Sequence, residues 1–150
     1  MLKTFAEIVI ILLTVGVYGS TDYQPTTFIK DTKLIGSLHQ NNEVEMFLGI
    51  PFAVPPINDL RWEKPIAWTP ENKKEITANK FRAACIQNQR IVNWYKRLIL
   101  DFGSDPKTFD IPEFSEDCLY LNLWRPRELK NSLPVIVYIH GGSNKAGWAY

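Results

Sequence analysis

The residues best placed to do chemistry are His140-Gly141-Gly142-Ser143, into which a β-branched and aromatic run, Val135-Ile136-Val137-Tyr138-Ile139, empties. A buried strand that opens onto such a glycine loop can aim backbone N–H groups at a developing negative charge, as an oxyanion hole does. The loop therefore points to acyl transfer. Gly141-Gly142-Ser143-Asn144-Lys145 also begins like a Gly-x-Ser-x-Gly nucleophile elbow. Lys145 stands where the second glycine should be, and Gly147 soon interrupts the helix that an elbow needs directly afterwards. Ser143 is accordingly read as part of the loop and not as a nucleophile. His140, at the strand's end, is read as a hydrogen-bonded structural residue.

Other reactive side chains are few. Two cysteines are too few for a zinc site, and neither His39 nor His140 stands at ligand spacing from them, so no metal or other cofactor is expected. In an oxidising compartment Cys85 and Cys118 would pair, closing a loop of about 34 residues and constraining the unfolded chain by roughly 3.5–4 kcal/mol. In a reducing compartment they would be two free, buried thiols.

The N-terminus bears on that choice. Lys3 supplies a positive n-region, Ile8 to Val17 an apolar core, and Val17 and Gly19 stand at −3 and −1 of a cut before Ser20. Residues 1–19 are expected to be a signal peptide directing the chain to secretion. The apolar core is about half the ~20 residues of a membrane span; an uncleaved anchor is the competing reading. No Asn-x-Ser/Thr sequon follows to mark a glycosylated surface.

The elements that must position the loop are legible in part. The length of 150 residues suits one domain, and a net charge of +1 argues against a nucleic-acid partner. Thr27 to Leu38 has the texture of a first strand. Asn41-Asn42 makes a turn, after which Val44 and Met46 alternate with Glu43 and Glu45 as in a hairpin. Three prolines between Pro51 and Pro56 force an extended, ordered segment. Leu60-Arg61-Trp62 and Trp68 are expected to pack against a body. Ile91, Trp94, Tyr95, Leu98 and Ile99 recur at helical spacing and predict an amphipathic helix over 89–100, broken by Gly103-Ser104-Asp105-Pro106. Leu119, Leu121 and Leu123 alternate with Tyr120, Asn122 and Trp124 in a strand ended by Pro126. A polar connection, Arg127 to Leu133, leads to the strand Val135–Ile139.

Four blocks resemble the type-B carboxylesterase and cholinesterase-like family. They are Phe47 to Pro56, Leu60-Arg61-Trp62, Ser115 to Leu123 (Ser-Glu-Asp-Cys-Leu-Tyr-Leu-Asn-Leu) and Pro134 to Gly142. They stand in the family's order and at its spacing. The resemblance implies α/β architecture: part of an α/β-hydrolase fold, with an N-terminal hairpin and the first strands of a central sheet over residues 20–150. It implies a Cys85–Cys118 disulfide and an Arg61–Glu116 ion pair, both structural. It also implies that the N–H groups of Gly142 and Ser143 hold the oxygen of a tetrahedral intermediate.

Departures from the family pattern open a second reading. Most enzymes of the family carry a third glycine or alanine at Ser143 and an aromatic residue at Asn144. His-Gly-Gly-Ser resembles the neuroligin branch, whose members adhere to protein partners and hydrolyse no esters. Lys107-Thr108-Phe109 stands where cholinesterases place a choline-facing tryptophan, which argues against a choline-ester specialist. The nucleophilic serine, acid and base of the triad are expected beyond Tyr150, so this stretch alone is expected to be inactive, its open apolar edges prone to aggregation. The leading expectation is a portion of a secreted serine esterase acting on small-molecule carboxylic esters through an acyl-enzyme. The alternatives are a non-catalytic recognition protein, with a C-terminal anchor left open, and an inactive truncated product.

Overall fold

The computed structural model describes residues 23–70, 74–128 and 131–150; the expected signal peptide lies outside the described residues. In chain order the strands are β1 (Thr26–Ile29), β2 (Thr32–Ile35), β3 (Ser37–Leu38), β4 (Val44–Pro51), β5 (Glu75–Thr77), β6 (Ala84–Cys85), β7 (Phe114–Ser115) and β8 (Tyr120–Pro126). One helix, α1 (Arg90–Asp101), lies between β6 and β7. The strands form three small sheets, β1-β2-β5, β3-β4-β8 and β6-β7.

The β texture of residues 27–38 resolves into three short strands. Lys30, at φ 50°, turns β1 back antiparallel onto β2. Gly36 then lets the chain pass into β3 close against Phe47, where a Cβ would fall 2.9 Å from the ring. The predicted hairpin follows: Leu38 pairs with Glu45 and Ser37 with Met46, and Asn42 takes the left-handed turn at φ 59°. Asparagine tolerates that conformation better than most residues.

The core forms where Leu34 of β2 meets Phe47 and Ile50 of β4, with Ala78 beside them and Ile29 and Ile76 at its edge. The glutamate-bearing face of the hairpin, not that of Val44 and Met46, is the buried one, because it continues into Phe47. Glu45 is 1% exposed. Its carboxylate accepts from Arg125 Nε at 2.5 Å and from the Tyr23 hydroxyl. Arg125 also donates to the Thr26 carbonyl at 3.0 Å and lies over the Phe47 ring. A buried carboxylate is tolerated only when its lone pairs are met in this way. The cluster rivets β1 to the β4–β8 pair.

The β4–β8 ladder contains a bulge between Phe47 and Ile50. Gly49 occupies it at φ 72°, and its N–H donates to Asn122 Oδ1 at 2.8 Å. Glycine takes that conformation without steric cost. Two blocks distant in sequence, around Gly49 and around Asn122, thus meet at one hydrogen bond.

The helix forms one residue from its expected limits and ends as predicted. Gly103, at φ 77°, donates to Leu100 O, and Ser104 donates to Ile99 O, a Schellman-type stop. Its buried residue is Val92, whereas Trp94 and Tyr95 of the expected apolar stripe stay 53% and 36% exposed. Cys85 and Cys118 form the expected disulfide, their Cα atoms 5.0 Å apart, around the segment that carries α1.

Two expectations fail. Trp62 is fully exposed, at φ 65° in the turn after a 3-10 segment (Asn58–Leu60), so it packs against no body among the described residues. Val135–Ile139 forms no strand, and its side chains are 79–92% exposed. A strand is defined by its ladder, and among the described residues nothing pairs with this run.

Candidate functional site

Beyond Ile139 the chain enters a tight turn. Lys145 N–H donates to the Gly142 carbonyl at 3.0 Å, with Ser143 and Asn144 both at φ 55° and Gly142 at φ 130°. Among the described residues no helix follows Ser143. A left-handed serine costs about 1–2 kcal/mol that glycine would not. His140 makes the expected structural hydrogen bond, its Nδ1 lying 2.9 Å from the Gly141 carbonyl, although the ring is exposed. Among the described residues no protein acceptor receives a hydrogen bond from the N–H of Gly142 or Ser143.

The loop sits on the rim of a groove of about 640 Å³. Tyr95 from α1, Phe109 from the following connection and Trp148 form its aromatic wall. Their ring centroids lie 5.5 Å (Tyr95–Trp148), 5.7 Å (Tyr95–Phe109) and 6.1 Å (Phe109–Trp148) apart. Ile91, Tyr138 and His140 also line it, and no acidic side chain does. Phe109 thus belongs to an aromatic wall without a tryptophan at that point in the chain. The outward-facing Trp94 and Tyr95 belong to the same side, with centroids 4.9 Å apart. The half-exposed stripe of the helix is therefore a groove lining and not a core contact.

Residues 147–150 are fastened one by one. Gln87 pairs with the Gly147 backbone in both directions, Tyr95 and Phe109 hold Trp148, Asn122 Nδ2 donates to Ala149 O at 3.1 Å, and Tyr150 stacks on Phe81 at 4.3 Å. Sequence reasoning missed Gln87 and Asn122. The available signal was Asn122 itself, a polar residue between two leucines of a predicted strand.

The expected Arg61–Glu116 pair is present, Nε to Oε1 at 2.8 Å, and lies nearer the surface than a partly buried pair, with side chains 57% and 36% exposed. Solvent screening leaves such a pair at about 0–1 kcal/mol. It lies outside the groove lining.

Residues 24–149 match the model of the carboxylesterase family. The chain is 38% identical over 109 residues to the fumonisin B1 esterase of Sphingopyxis macrogoltabida, covering 70% of this chain and 17% of that protein. It is 39% identical over 125 residues to carboxylesterase 5A of Mus musculus, covering 80% and 20% respectively. Among solved structures it superimposes on a thermophilic PNB esterase with a TM-score of 0.63 and 27% identity, over 81% of this chain and 22% of that one. The chain therefore spans about a fifth of the length of the relatives it matches, and carries part of an α/β-hydrolase fold.

Proposed function

The chain belongs to the carboxylesterase family, and on that premise we propose that it supplies the oxyanion-binding part of a secreted serine hydrolase acting on small-molecule carboxylic esters. A serine, assisted by a histidine and an acid from the rest of the protein, attacks the ester carbonyl. The carbonyl oxygen takes up negative charge, the alcohol leaves, and water then releases the acid from the acyl-enzyme. The N–H groups of Gly142 and Ser143 are the donors assigned to that oxygen, each worth about 2.7–4 kcal/mol in the transition state. No metal or organic cofactor enters the scheme.

The observation that carries the proposal is the family match running through a glycine loop whose Gly142 and Ser143 N–H groups are unengaged among the described residues, with Gly142 at the rim of an apolar groove. The groove wall suits the uncharged apolar portion of an ester. The disulfide supports passage through an oxidising compartment, and hence the signal peptide assigned to residues 1–19. A second reading, a catalytically silent recognition protein, is favoured by Ser143 and Asn144 both standing in left-handed backbone.

A fluorophosphonate probe separates the two. The full-length protein, purified from culture medium, is expected to be covalently labelled and to hydrolyse a nitrophenyl ester. Folded protein that takes up no label refutes the esterase and leaves the recognition protein.

A further inference from the structure

We infer that Gln87 is a positioning residue for the glycine loop, clamping Gly147 and with it the 140–147 turn to the disulfide-bridged strand β6. Its Nε2 donates to the Gly147 carbonyl at 2.9 Å and to the Cys85 carbonyl at 3.0 Å, while its Oε1 accepts from Gly147 N–H at 2.7 Å. A primary amide offers donors and an acceptor in one plane, so one side chain imitates a strand partner for Gly147. Gly147 is in turn wedged against the start of the turn. At φ 129° it has no room for a Cβ, which would fall 2.6 Å from the Gly141 carbonyl oxygen and 2.8 Å from His140 Cε1. A shift of Gly147 therefore presses directly on His140-Gly141, the residues that precede the Gly142 N–H.

Asn122 provides a second amide anchor two residues on, accepting from Gly49 N–H in β4 and donating to Ala149 O. The loop thus takes its position from the β4–β8 ladder and from the disulfide at once. Gln87 does not itself line the groove, and Gly147 is the groove-lining residue to which its amide is hydrogen-bonded among the described residues, so it acts on substrate through Gly147. The inference rests on the oxyanion role proposed for Gly142 and Ser143, and extends it to the residue that sets their place.

The test is Gln87→Met in the full-length protein, with Gln87→Glu as a second variant that keeps the shape and an acceptor oxygen. Turnover of a nitrophenyl ester is expected to fall by about ten- to a hundredfold with KM within about twofold, because misplaced donors weaken the transition state and not the ground state. Amide hydrogen exchange across residues 141–147 is expected to quicken about tenfold, with exchange elsewhere unchanged. Unchanged exchange overturns the clamp. Quickened exchange with wild-type turnover, or a loss confined to KM, overturns the positioning role. A wild-type protein that is inert toward ester and probe, yet whose loop exchange quickens in the variant, refutes the esterase reading while upholding the clamp.

Discussion

Replacing Arg125 with methionine should be among the most damaging single changes to the stability of this chain. The substitution keeps an unbranched apolar stem and removes the guanidinium from a carboxylate that is 1% exposed. Among the described residues the Glu45 carboxylate would retain only the Tyr23 hydroxyl as partner, and the Thr26 carbonyl would lose the Arg125 donor. Removing one member of a buried ion pair costs about 3–5 kcal/mol. Arg125 keeps 31% of its side chain in water, which places the expected loss near the lower end, about 3 kcal/mol. Glu45→Gln keeps the shape and removes the charge, and should cost about 1.5–3 kcal/mol, the worth of a hydrogen bond to a charged group. The double replacement, Arg125→Met with Glu45→Leu, leaves no stranded charge and should recover to within about 1 kcal/mol of the parent. The measurement is equilibrium unfolding of the full-length protein in urea, which unlike guanidinium salts leaves ion pairs unscreened. A loss below about 1 kcal/mol for Arg125→Met, or strict additivity in the double variant, would refute the account of Glu45 as a buried charge held by its partners.

Two further outcomes are expected. The Cys85→Ala/Cys118→Ala protein, lacking a cross-link that spans 33 positions, should unfold about 3–4 kcal/mol more easily than the oxidised parent, and alkylation of the folded parent without reductant should modify neither cysteine. Tyr120 has its pKa raised above 10.0 by burial and by the hydrogen bond it donates to Asp117; the fold then favours the neutral phenol, so its contribution is intact below pH 10 and disappears as pH rises through the raised value. Urea unfolding between pH 9 and 11.5 should therefore show a shallower alkaline decline for Tyr120→Phe, and identical slopes would count against that linkage.

What could be read from the sequence was what local chemistry decides. The Asn41-Asn42 turn, the helix stop at Gly103 and the strand ended by Pro126 each follow from backbone preferences of the residues themselves, and each formed. Family resemblance added the Arg61–Glu116 pair, which no periodicity would have matched up, and agreed with the Cys85–Cys118 pairing that an oxidising compartment already implied. Burial was less legible because it depends on what arrives from elsewhere in the chain. Glu45 reads as a solvent-facing residue until Arg125, 80 positions later, is brought beside it. The Val135–Ile139 run has every preference of a strand, but preference cannot replace a neighbouring ladder. Trp62 shows the converse, a large apolar side chain on a turn that carries it outward. At the candidate site the glycine loop was legible and its supports were not, since Gln87 and Asn122 act through backbone groups that exist only once the chain has folded around them.

The disulfide also changes the distance at which the site must assemble. Gln87 and Gly147 are 60 positions apart along the chain. Once Cys85 is joined to Cys118, the route between them runs back to Cys85, across the bridge and on from Cys118, about half as many residues. Halving a flexible path lowers its closure cost by about 0.6 kcal/mol. Oxidation of the two thiols is thus an assembly step for the glycine loop, which brings the clamp within easier reach of the residue it must find.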